Sequence, residues 1–348
     1  MKNHVKLYDL TGKLDLRDER AISEALYRTG VYSQTHTFPI ASLQFELTSH
    51  CNMFCKHCYN NSGIKNVAPD AMTPEKWIIF SKYLVAHGGI YECLLSGGEP
   101  LLLGKNLFKI MDILHNDGTC FTLITNGYLI TEEVAKKLKK YNYHRFQVSI
   151  DGANAEYHDL FRQKRGSWEN AVNAALAIVR NEIPLKIAHC VTPYNIHDID
   201  DMCDLAYSLG ASAITVGELC LSGRVGQNQD LLLSDNQRNI LGQKVLENAY
   251  KYQGRMRVKT SNRVRFGLEQ HQKRPNSGAI IRPNGDIKID GMAPFVIGNV
   301  ITDDFAEVWT RKLDSSWKHP KVKEYIASFS DDDRNYTFIN YAENDIYI

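Results

Sequence analysis

The chain has 348 residues, with 41 Lys and Arg against 40 Asp and Glu, which leaves a net charge of +1. This balance gives no electrostatic reason to bind nucleic acid or an acidic membrane surface. No apolar run reaches the roughly 20 residues that span a bilayer, and the polar N-terminus lacks the apolar core of a signal peptide. We therefore expect a cytoplasmic protein, with no nucleic-acid or membrane partner, whose eight cysteines are thiols or metal ligands rather than disulfides.

Short β-rich runs alternate with segments of helical periodicity over the first two thirds of the chain. The predicted strands are 42–48, 91–100, 120–127, 145–152, 184–195 and 211–219, with helices such as 73–88 and 166–182 between them. Such alternation predicts a parallel sheet with right-handed crossovers. Six strand–helix units are too few for a closed eight-stranded barrel, so we expect an α/β fold in the form of a partial (β/α)6 TIM-like barrel.

The pattern changes near residue 225, where a long helical segment precedes "GAIIRPNGDIKIDG" (278–291), a predicted hairpin. We assign the partial barrel to residues 41–229 and a small α+β module to residues 230–315. Residues 1–40 form an N-terminal extension in this division. Residues 316–348 form a C-terminal tail. Its last part, "SFSDDDRNYTFINYAENDIYI" (328–348), is acidic and tyrosine-rich, and we expect it to be partly disordered or to pack late.

Three of the eight cysteines lie close together in "ELTSHCNMFCKHCYNNSG", as Cys51, Cys55 and Cys58. This spacing places three thiols on one tight loop, where they are able to converge on a metal centre. A structural zinc site needs four ligands, and His50 or His57 would supply the fourth. An iron–sulfur cluster held by three cysteines leaves one iron open instead. Spacing alone does not separate these two interpretations.

The segments that follow the cysteines resemble the motifs of the radical S-adenosylmethionine (radical SAM) superfamily. In that family a Cys-x3-Cys-x2-Cys loop with a neighbouring aromatic residue follows the first strand of a partial barrel, and Gly-Gly-Glu-Pro ends the second strand. This chain has "CNMFCKHCY", "LSGGEP", "ITNG", "VSIDG" and "HDLFRQKRGSW" in the same order. The matching residues are Cys51, Cys55, Cys58, Tyr59, Gly97, Gly98, Glu99, Pro100, Asn126, Ser149, Asp151 and Arg162.

The resemblance implies one [4Fe-4S] cluster on Cys51, Cys55 and Cys58, with SAM bound at the open iron. It implies reductive cleavage of SAM to a 5′-deoxyadenosyl radical, which abstracts a hydrogen atom from the substrate. A flavodoxin-type or ferredoxin-type protein would supply the electron. Enzymes of this class leave the hard chemistry to the cofactor, while the barrel orients the substrate and excludes water.

The resemblance also implies SAM contacts at the ends of the strands. Gly97 and Gly98 would let the backbone approach the cofactor, Glu99 would accept a hydrogen bond from the methionine ammonium, and Pro100 would set the turn. Asn126 and Ser149 are suited to ribose hydroxyls or to a carboxylate. Arg162 would lie near the SAM carboxylate. The Gly-Gly-Glu-Pro and Asn-Gly segments taken alone are also typical of ordinary turns.

Residues 278–312 resemble the SPASM or twitch extension of radical SAM peptide maturases. The matching residues are Pro283, Gly285, Gly298, Asn299 and Trp309. The cysteines of that extension are missing, because Ser277 and Asp290 stand near their positions and no cysteine follows Cys220. We therefore expect the hairpin without its auxiliary clusters.

The leading functional hypothesis is a single-cluster radical SAM enzyme that crosslinks or epimerises a ribosomally made precursor peptide. The alternative is a small-molecule radical SAM enzyme in sugar, cofactor or antibiotic biosynthesis, and a more distant one is a zinc-stabilised binding protein. Cys220 follows the sixth strand and is a candidate hydrogen donor to a substrate radical. The remaining thiols, which we expect to pack in the core, are Cys93, Cys120, Cys190 and Cys203.

Overall fold

In a computed structural model of the chain, residues 38, 40–63, 69–261, 264–329 and 345–348 are described. Most of the predicted N-terminal extension and residues 330–344 of the predicted tail lie outside these residues. Within the described part, no helix is long and apolar enough to cross a bilayer.

The six predicted strands are present, each followed by helical structure. They are β1 (Ile40–Glu46), β2 (Ile90–Ser96), β3 (Cys120–Thr125), β4 (Tyr143–Ser149), β5 (Leu185–Val191) and β6 (Ala213–Glu218). The helices of this part are α1 (Pro74–Ala86), α2 (Lys105–Asn116), α3 (Glu132–Leu138), α4 (Ala155–Arg162), α5 (Ser167–Arg180) and α6 (Ile199–Ser208). All five neighbouring pairs from β1 to β6 are parallel, which confirms the predicted partial barrel.

The remaining elements extend this sheet on both sides. They are α7 (Asp235–Lys251), β7 (Arg257–Lys259), α8 (Val264–Lys273), β8 (Ala279–Ile281), β9 (Asp286–Lys288), β10 (Phe295–Asn299), α9 (Phe305–Arg311), α10 (Leu313–Trp317), α11 (Pro320–Ala327) and β11 (Ile346–Tyr347). The strand order is β11-β10-β9-β8-β1-β2-β3-β4-β5-β6-β7. Strands β7 and β11 are the two edges of the described sheet, which is therefore not closed.

The predicted hairpin joins the barrel through β8, which pairs in parallel with β1, and β9 returns antiparallel to β8. The barrel and the C-terminal module therefore share one continuous sheet. The domain boundary near residue 229 stays a prediction.

Alternation along β1 shows how the sequence separates the two faces of the sheet. Phe45 is fully buried and packs on Trp77 of α1, with ring centroids 4.8 Å apart. Gln44 points the opposite way, and its Nε2 donates to Ser96 Oγ at 3.0 Å. Since successive side chains of a strand point to opposite faces, Gln44 and Glu46 lie on the side away from the helices. We call this side the inner face.

Candidate active site

The cysteine loop leaves the carboxyl end of β1. Leu47 N donates to Ser96 O at 2.9 Å, which continues the pairing with β2 past the end of the strand. The chain then turns tightly, with Cys58 N donating to Cys55 O at 3.3 Å. This loop brings Cys51, Cys55 and Cys58, all partly exposed, to the rim of the barrel where parallel α/β enzymes place their chemistry.

Electrostatics at this loop favour a cationic centre. Burial raises the pKa of the Cys51 thiol to about 11 and that of the Cys55 thiol to about 12. Repulsion from neighbouring thiolates of the loop contributes to both increases. The thiolates of Cys51 and Cys55 are therefore unfavourable here unless a metal centre compensates their charge. A set of three sulfur donors beside a rim open to ligands fits an iron–sulfur cluster.

A second group of ligand-type side chains lies near the cysteine loop. The donor atoms of His57, Asp151 and Cys190 all lie within 4.8 Å of one another.

This set needs no metal ion, because the Asp151 carboxylate already pairs with the guanidinium of Arg162. Arg162 Nη2 lies 2.7 Å from Asp151 Oδ2, and both side chains are buried. Arg162 is the main reason that the pKa of Asp151 is held well below its usual range despite its burial. His57 stacks on Phe161 with ring centroids 4.1 Å apart. The Arg162–Asp151 pair and the His57–Phe161 stack pack against the cysteine loop, where Lys56 N also donates to Phe161 O at 3.0 Å. The contact of Arg162 with the SAM carboxylate stays a prediction.

The Gly-Gly-Glu-Pro turn packs directly against the cysteine loop. A Cβ on Gly97, which has φ +120°, would lie 2.6 Å from Thr48 O, and one on Gly98 would lie 1.9 Å from His50 O. Gly98 N donates to Thr48 O at 2.6 Å, and Glu99 N donates to His50 O at 2.9 Å. The two glycines are therefore needed for contact with the chain itself. Their approach to SAM stays a prediction.

Glu99 links three predicted site segments. Its fully buried carboxylate accepts from Thr125 Oγ1 at 2.8 Å and from Asn126 N at 2.9 Å. Burial raises its pKa, and these hydrogen bonds oppose the rise. Asn126 Nδ2 in turn donates to Asn52 Oδ1 at 2.8 Å, beside Cys51. The ends of β2 and β3 are thereby tied to the cysteine loop. Contact of Glu99 with the SAM ammonium is not tested by this geometry.

The other predicted site residues lie around the same rim. Tyr59 is 41% exposed, and its hydroxyl lies 3.4 Å from Glu46 Oε1. Pro100 is buried at the start of a short 3-10 turn. Ser149 is the last residue of β4 and is partly exposed. Cys220 follows β6 and is partly buried, so its role as hydrogen donor stays a prediction.

One expectation for the thiols is wrong. Cys93, Cys120 and Cys203 are buried as predicted. Cys190 is only partly buried, and its sulfur lies beside His57 and Asp151 below the cysteine loop. Alternation along β5 places it on the inner face, because its neighbour Val191 is the fully buried one.

Sequence reasoning missed a clamp on the cysteine loop from the segment after β6. Arg224 is buried, its Nε donates to Cys55 O at 2.7 Å, and its guanidinium lies 3.9 Å from the Phe54 ring centroid. Ser222 Oγ donates to Tyr59 O at 3.1 Å. Since roughly 165 residues separate the partners, no local pattern indicates this contact.

The predicted hairpin is present, and polar side chains contact one another across it and beside it. Asn299 Nδ2 donates to Asp286 Oδ1 at 2.9 Å across the hairpin, and Trp309 is buried beneath it. Asp290, near a missing cysteine, lies 2.5 Å from His271 Nδ1 and accepts from Met292 N at 2.6 Å. The absence of auxiliary clusters stays a prediction.

Three curated relatives were compared with the chain. It is 29% identical over 286 residues to the AdoMet-dependent heme synthase of Methanosarcina barkeri, covering 77% of this chain and 81% of the relative. It is 35% identical to the mycofactocin maturase MftC of Mycolicibacterium smegmatis over 52% of this chain and 45% of the relative. It is 28% identical to the PqqA peptide cyclase of Rhizobium meliloti over 62% of this chain and 57% of the relative. The chain thus spans about half the length of the latter two.

The fold is also similar to solved structures. Streptococcus suis SuiB bound to S-adenosylmethionine gives a TM-score of 0.64 at 14% identity, covering 85% of this chain and 72% of that one. Residues 45–206, which contain the cysteine loop, the Gly-Gly-Glu-Pro turn and Arg162, match the family model of the radical SAM superfamily. Enzymes of this family use a [4Fe-4S] cluster and SAM. Residues 45–206, which carry these motifs, therefore form a radical SAM domain.

Proposed function

We propose that this chain is a cytoplasmic radical SAM enzyme that modifies a ribosomally made precursor peptide by forming a crosslink or by epimerisation. The observation that carries the proposal is the three-cysteine loop at the carboxyl ends of the strands. The loop lies next to the inner face of a sheet whose described strands do not close into a barrel. Relatives named for peptide chemistry, such as the PqqA peptide cyclase, support the substrate class. A flavodoxin-type or ferredoxin-type protein is the proposed reductant.

In this proposal Cys51, Cys55 and Cys58 hold one cluster, and the chain holds no other. The cluster and SAM supply one-electron cleavage of SAM and removal of a hydrogen atom from the substrate. The protein's own residues keep the loop in place through Arg224 and the glycine turn. The inner face offers polar side chains such as the partly buried Gln44 to orient a substrate.

A second candidate function is radical chemistry on a small molecule. The observation that favours it is the heme synthase of Methanosarcina barkeri, of which the chain covers 81%. The buried cations Arg282 and Lys288, near the polar inner face, would also suit the carboxylates of a small acidic substrate. The two candidates differ in whether a peptide or a small molecule increases SAM cleavage.

The first experiment is anaerobic reconstitution with iron and sulfide, followed by metal analysis. We expect a brown protein with about four irons per chain. Cys55→Ala should lose the cluster, whereas Cys203→Ala, which removes a buried thiol of α6, should keep it. A colourless protein with one zinc would overturn the radical assignment. About eight irons per chain would overturn the single-cluster proposal.

The second experiment tests the substrate class with the reconstituted enzyme. Candidate precursor peptides, taken from short reading frames beside the gene, are incubated with SAM and reductant, in water and in deuterium oxide. A peptide mass change or deuterium uptake that depends on SAM supports the proposal. Release of 5′-deoxyadenosine with an unchanged peptide, and faster release with small acidic substrates, would favour the second candidate.

A further inference from the structure

The last four residues of the chain lie at the edge of the sheet beside the site. Strand β11 pairs in parallel with β10, so that Ile346 is opposite Phe295 and Tyr347 is opposite Val296. Ile346 N donates to Pro294 O at 2.6 Å, and Ile348 N donates to Val296 O at 3.0 Å. The chain end is thereby held in an extended conformation along β10.

The residue before β11 inserts a carboxylate between two buried cations. The Asp345 side chain is 5% exposed and forms ion pairs with Arg282 Nη1 and, at 3.0 Å, with Lys288 Nζ. Both cations are at least nine-tenths buried. Burial lowers the pKa of Lys288, and the Asp345 carboxylate opposes that change. A carboxylate at this position therefore stabilises the charged form of Lys288.

This ion cluster is part of the rim that carries the cysteine loop. Arg282 Nε lies 3.6 Å from Glu46 Oε2, at the carboxyl end of β1. Glu46 Oε1 lies 3.4 Å from the hydroxyl of Tyr59, the residue after Cys58. The Asp345 carboxylate is therefore separated from the cysteine loop only by Arg282, Glu46 and Tyr59.

The ion pairs make this position suited to a carboxylate. Arg282 pairs with Glu46 and Asp345, and Lys288 pairs with Asp345. The nearby Asp286 carboxylate accepts from Asn284, Asn299 and the Tyr347 hydroxyl. If Asp345 leaves, Arg282 and Lys288 lose the carboxylate that pairs with both of them. Removing one partner of a buried ion pair is costly, so another carboxylate is favoured there.

Two of the three apolar side chains of the tail are exposed, Ile346 by 36% and Tyr347 by 65%. The third, Ile348, is partly buried against the core. The other contacts of the tail are backbone hydrogen bonds to β10, the Asp345 ion pairs and the Tyr347 hydroxyl on Asp286. Any extended acidic peptide is able to pair with β10 as an added strand and to place a carboxylate between the two cations. In this mode of recognition the backbone hydrogen bonds supply the affinity.

We propose that Arg282, Lys288 and the edge of β10 form a binding site for an extended peptide with a carboxylate side chain, and that residues 345–348 are its resident ligand. The substrate peptide displaces this tail when it binds, which rests on the function proposed above. The tail keeps the two cations neutralised in the absence of substrate.

The test is binding of a fluorescent hexapeptide with the sequence of residues 343–348, ENDIYI, measured by anisotropy. The receptor is the full chain with Asp345→Asn and Ile346→Pro, which removes the ion pairs and the Ile346 N–H donor. A tethered ligand competes at about millimolar effective concentration. We therefore expect the double variant to bind the hexapeptide at least about tenfold more tightly than the wild-type chain.

Two matched probes show whether the proposed residues are responsible. The hexapeptide ENNIYI lacks the carboxylate and should bind the double variant about tenfold more weakly, the loss expected for one charge-assisted contact. Arg282→Gln in the double variant should weaken ENDIYI to the same level. Glu324→Gln, at an exposed position of α11, is the control for loss of one acidic charge and should bind like the wild-type chain.

Equal binding of ENDIYI and ENNIYI, or no binding of either by a folded double variant, would overturn the proposal. Circular dichroism checks the fold, and Asp345→Asn alone serves as receptor if the double variant unfolds. Because binding needs neither cluster nor SAM, this result is separate from the proposed function. If the enzyme modifies a peptide but the variant does not bind the hexapeptide, only the proposed tail site is rejected. If the variant binds the hexapeptide but the enzyme modifies no peptide, only the proposed function is rejected.

Discussion

At the scale of single residues, the packing below the cysteine loop depends on buried side chains that the fold holds in one protonation state. His158 is fully buried, and its Nδ1 accepts a hydrogen bond from Asp151 N at 3.0 Å. Burial lowers the pKa of His158 to about 3, and the nearby Arg162 lowers it further. The folded chain therefore holds this imidazole neutral at pH values where an unfolded chain would protonate it.

This difference predicts a loss of stability in acid. The folded pKa lies below the unfolded value of about 6.5, so the stabilisation is present above pH 6.5 and is lost as the pH falls toward 3. Between pH 7.5 and 5.0 the free energy of unfolding should fall by about 2 kcal/mol from this residue. His158→Gln keeps an acceptor but does not titrate. Urea titrations should therefore show that the wild-type chain exceeds His158→Gln in free energy of unfolding by less at pH 5.0 than at pH 7.5, and the decrease should equal that amount.

The control is His197→Gln, which removes an imidazole at an exposed position. A gap between wild type and His158→Gln that is the same at both pH values would contradict the assignment of a neutral buried histidine. The measurement uses the metal-free chain, so that loss of a cluster does not add a second transition.

At the scale of elements, the start of α9 ties the C-terminal module to the barrel. Asp304 is the N-cap of α9 and accepts from Ala306 N at 2.9 Å. The same oxygen accepts from the hydroxyl of Tyr83, on α1 of the barrel, at 2.6 Å. These bonds lower the pKa of Asp304, and burial and Asp304 raise that of Tyr83 to about 12. One carboxylate therefore serves both the helix and the contact between the modules.

A double-mutant cycle tests this link. Asp304→Ala removes the cap and should cost about 1 to 2 kcal/mol, while Tyr83→Phe removes one hydrogen bond and should cost about 1 kcal/mol. Because the two residues share one bond, the double variant should cost less than the sum. Urea unfolding gives the three values, and Glu324→Ala is the exposed control. Strictly additive effects would show that the contact contributes nothing.

At the scale of the whole molecule, the order of the cysteine loop depends on residues far along the chain. Arg224 donates to Cys55 O, and Arg224 N donates to Cys58 O at 3.0 Å. A Cβ on Gly223, which has φ +54°, would lie 2.2 Å from Cys58 O. The segment after the sixth strand thus closes over the loop that follows the first.

Arg224→Met should loosen the cysteine loop without unfolding the barrel, because methionine keeps the apolar contact but loses the donors. We expect faster hydrogen exchange at the amides of residues 54–61 and a lower iron content after reconstitution. Arg238→Met removes the ion pair with Glu218 outside the loop and should change neither value. Unchanged exchange in Arg224→Met would show that the loop holds its own shape.

Much of the fold follows from local pattern. The strand predicted at 120–127 is observed at Cys120–Thr125, and the helix predicted at 73–88 is observed at Pro74–Ala86, where Thr73 caps and Pro74 starts the helix. The short strands β7 and β11 were missed, because two or three residues carry no period. They become strands only through pairing with β6 and β10.

The sequence by itself determined the resemblance to the radical SAM superfamily, because the motifs at Cys51–Tyr59 and Gly97–Pro100 are local features that a short window contains. Only the tertiary structure decided how the cysteine loop is held. The Arg224 clamp and the Asp345 contact with Arg282 and Lys288 join residues that are distant along the chain. Such contacts form when the sheet brings strand ends together, and no periodicity records them.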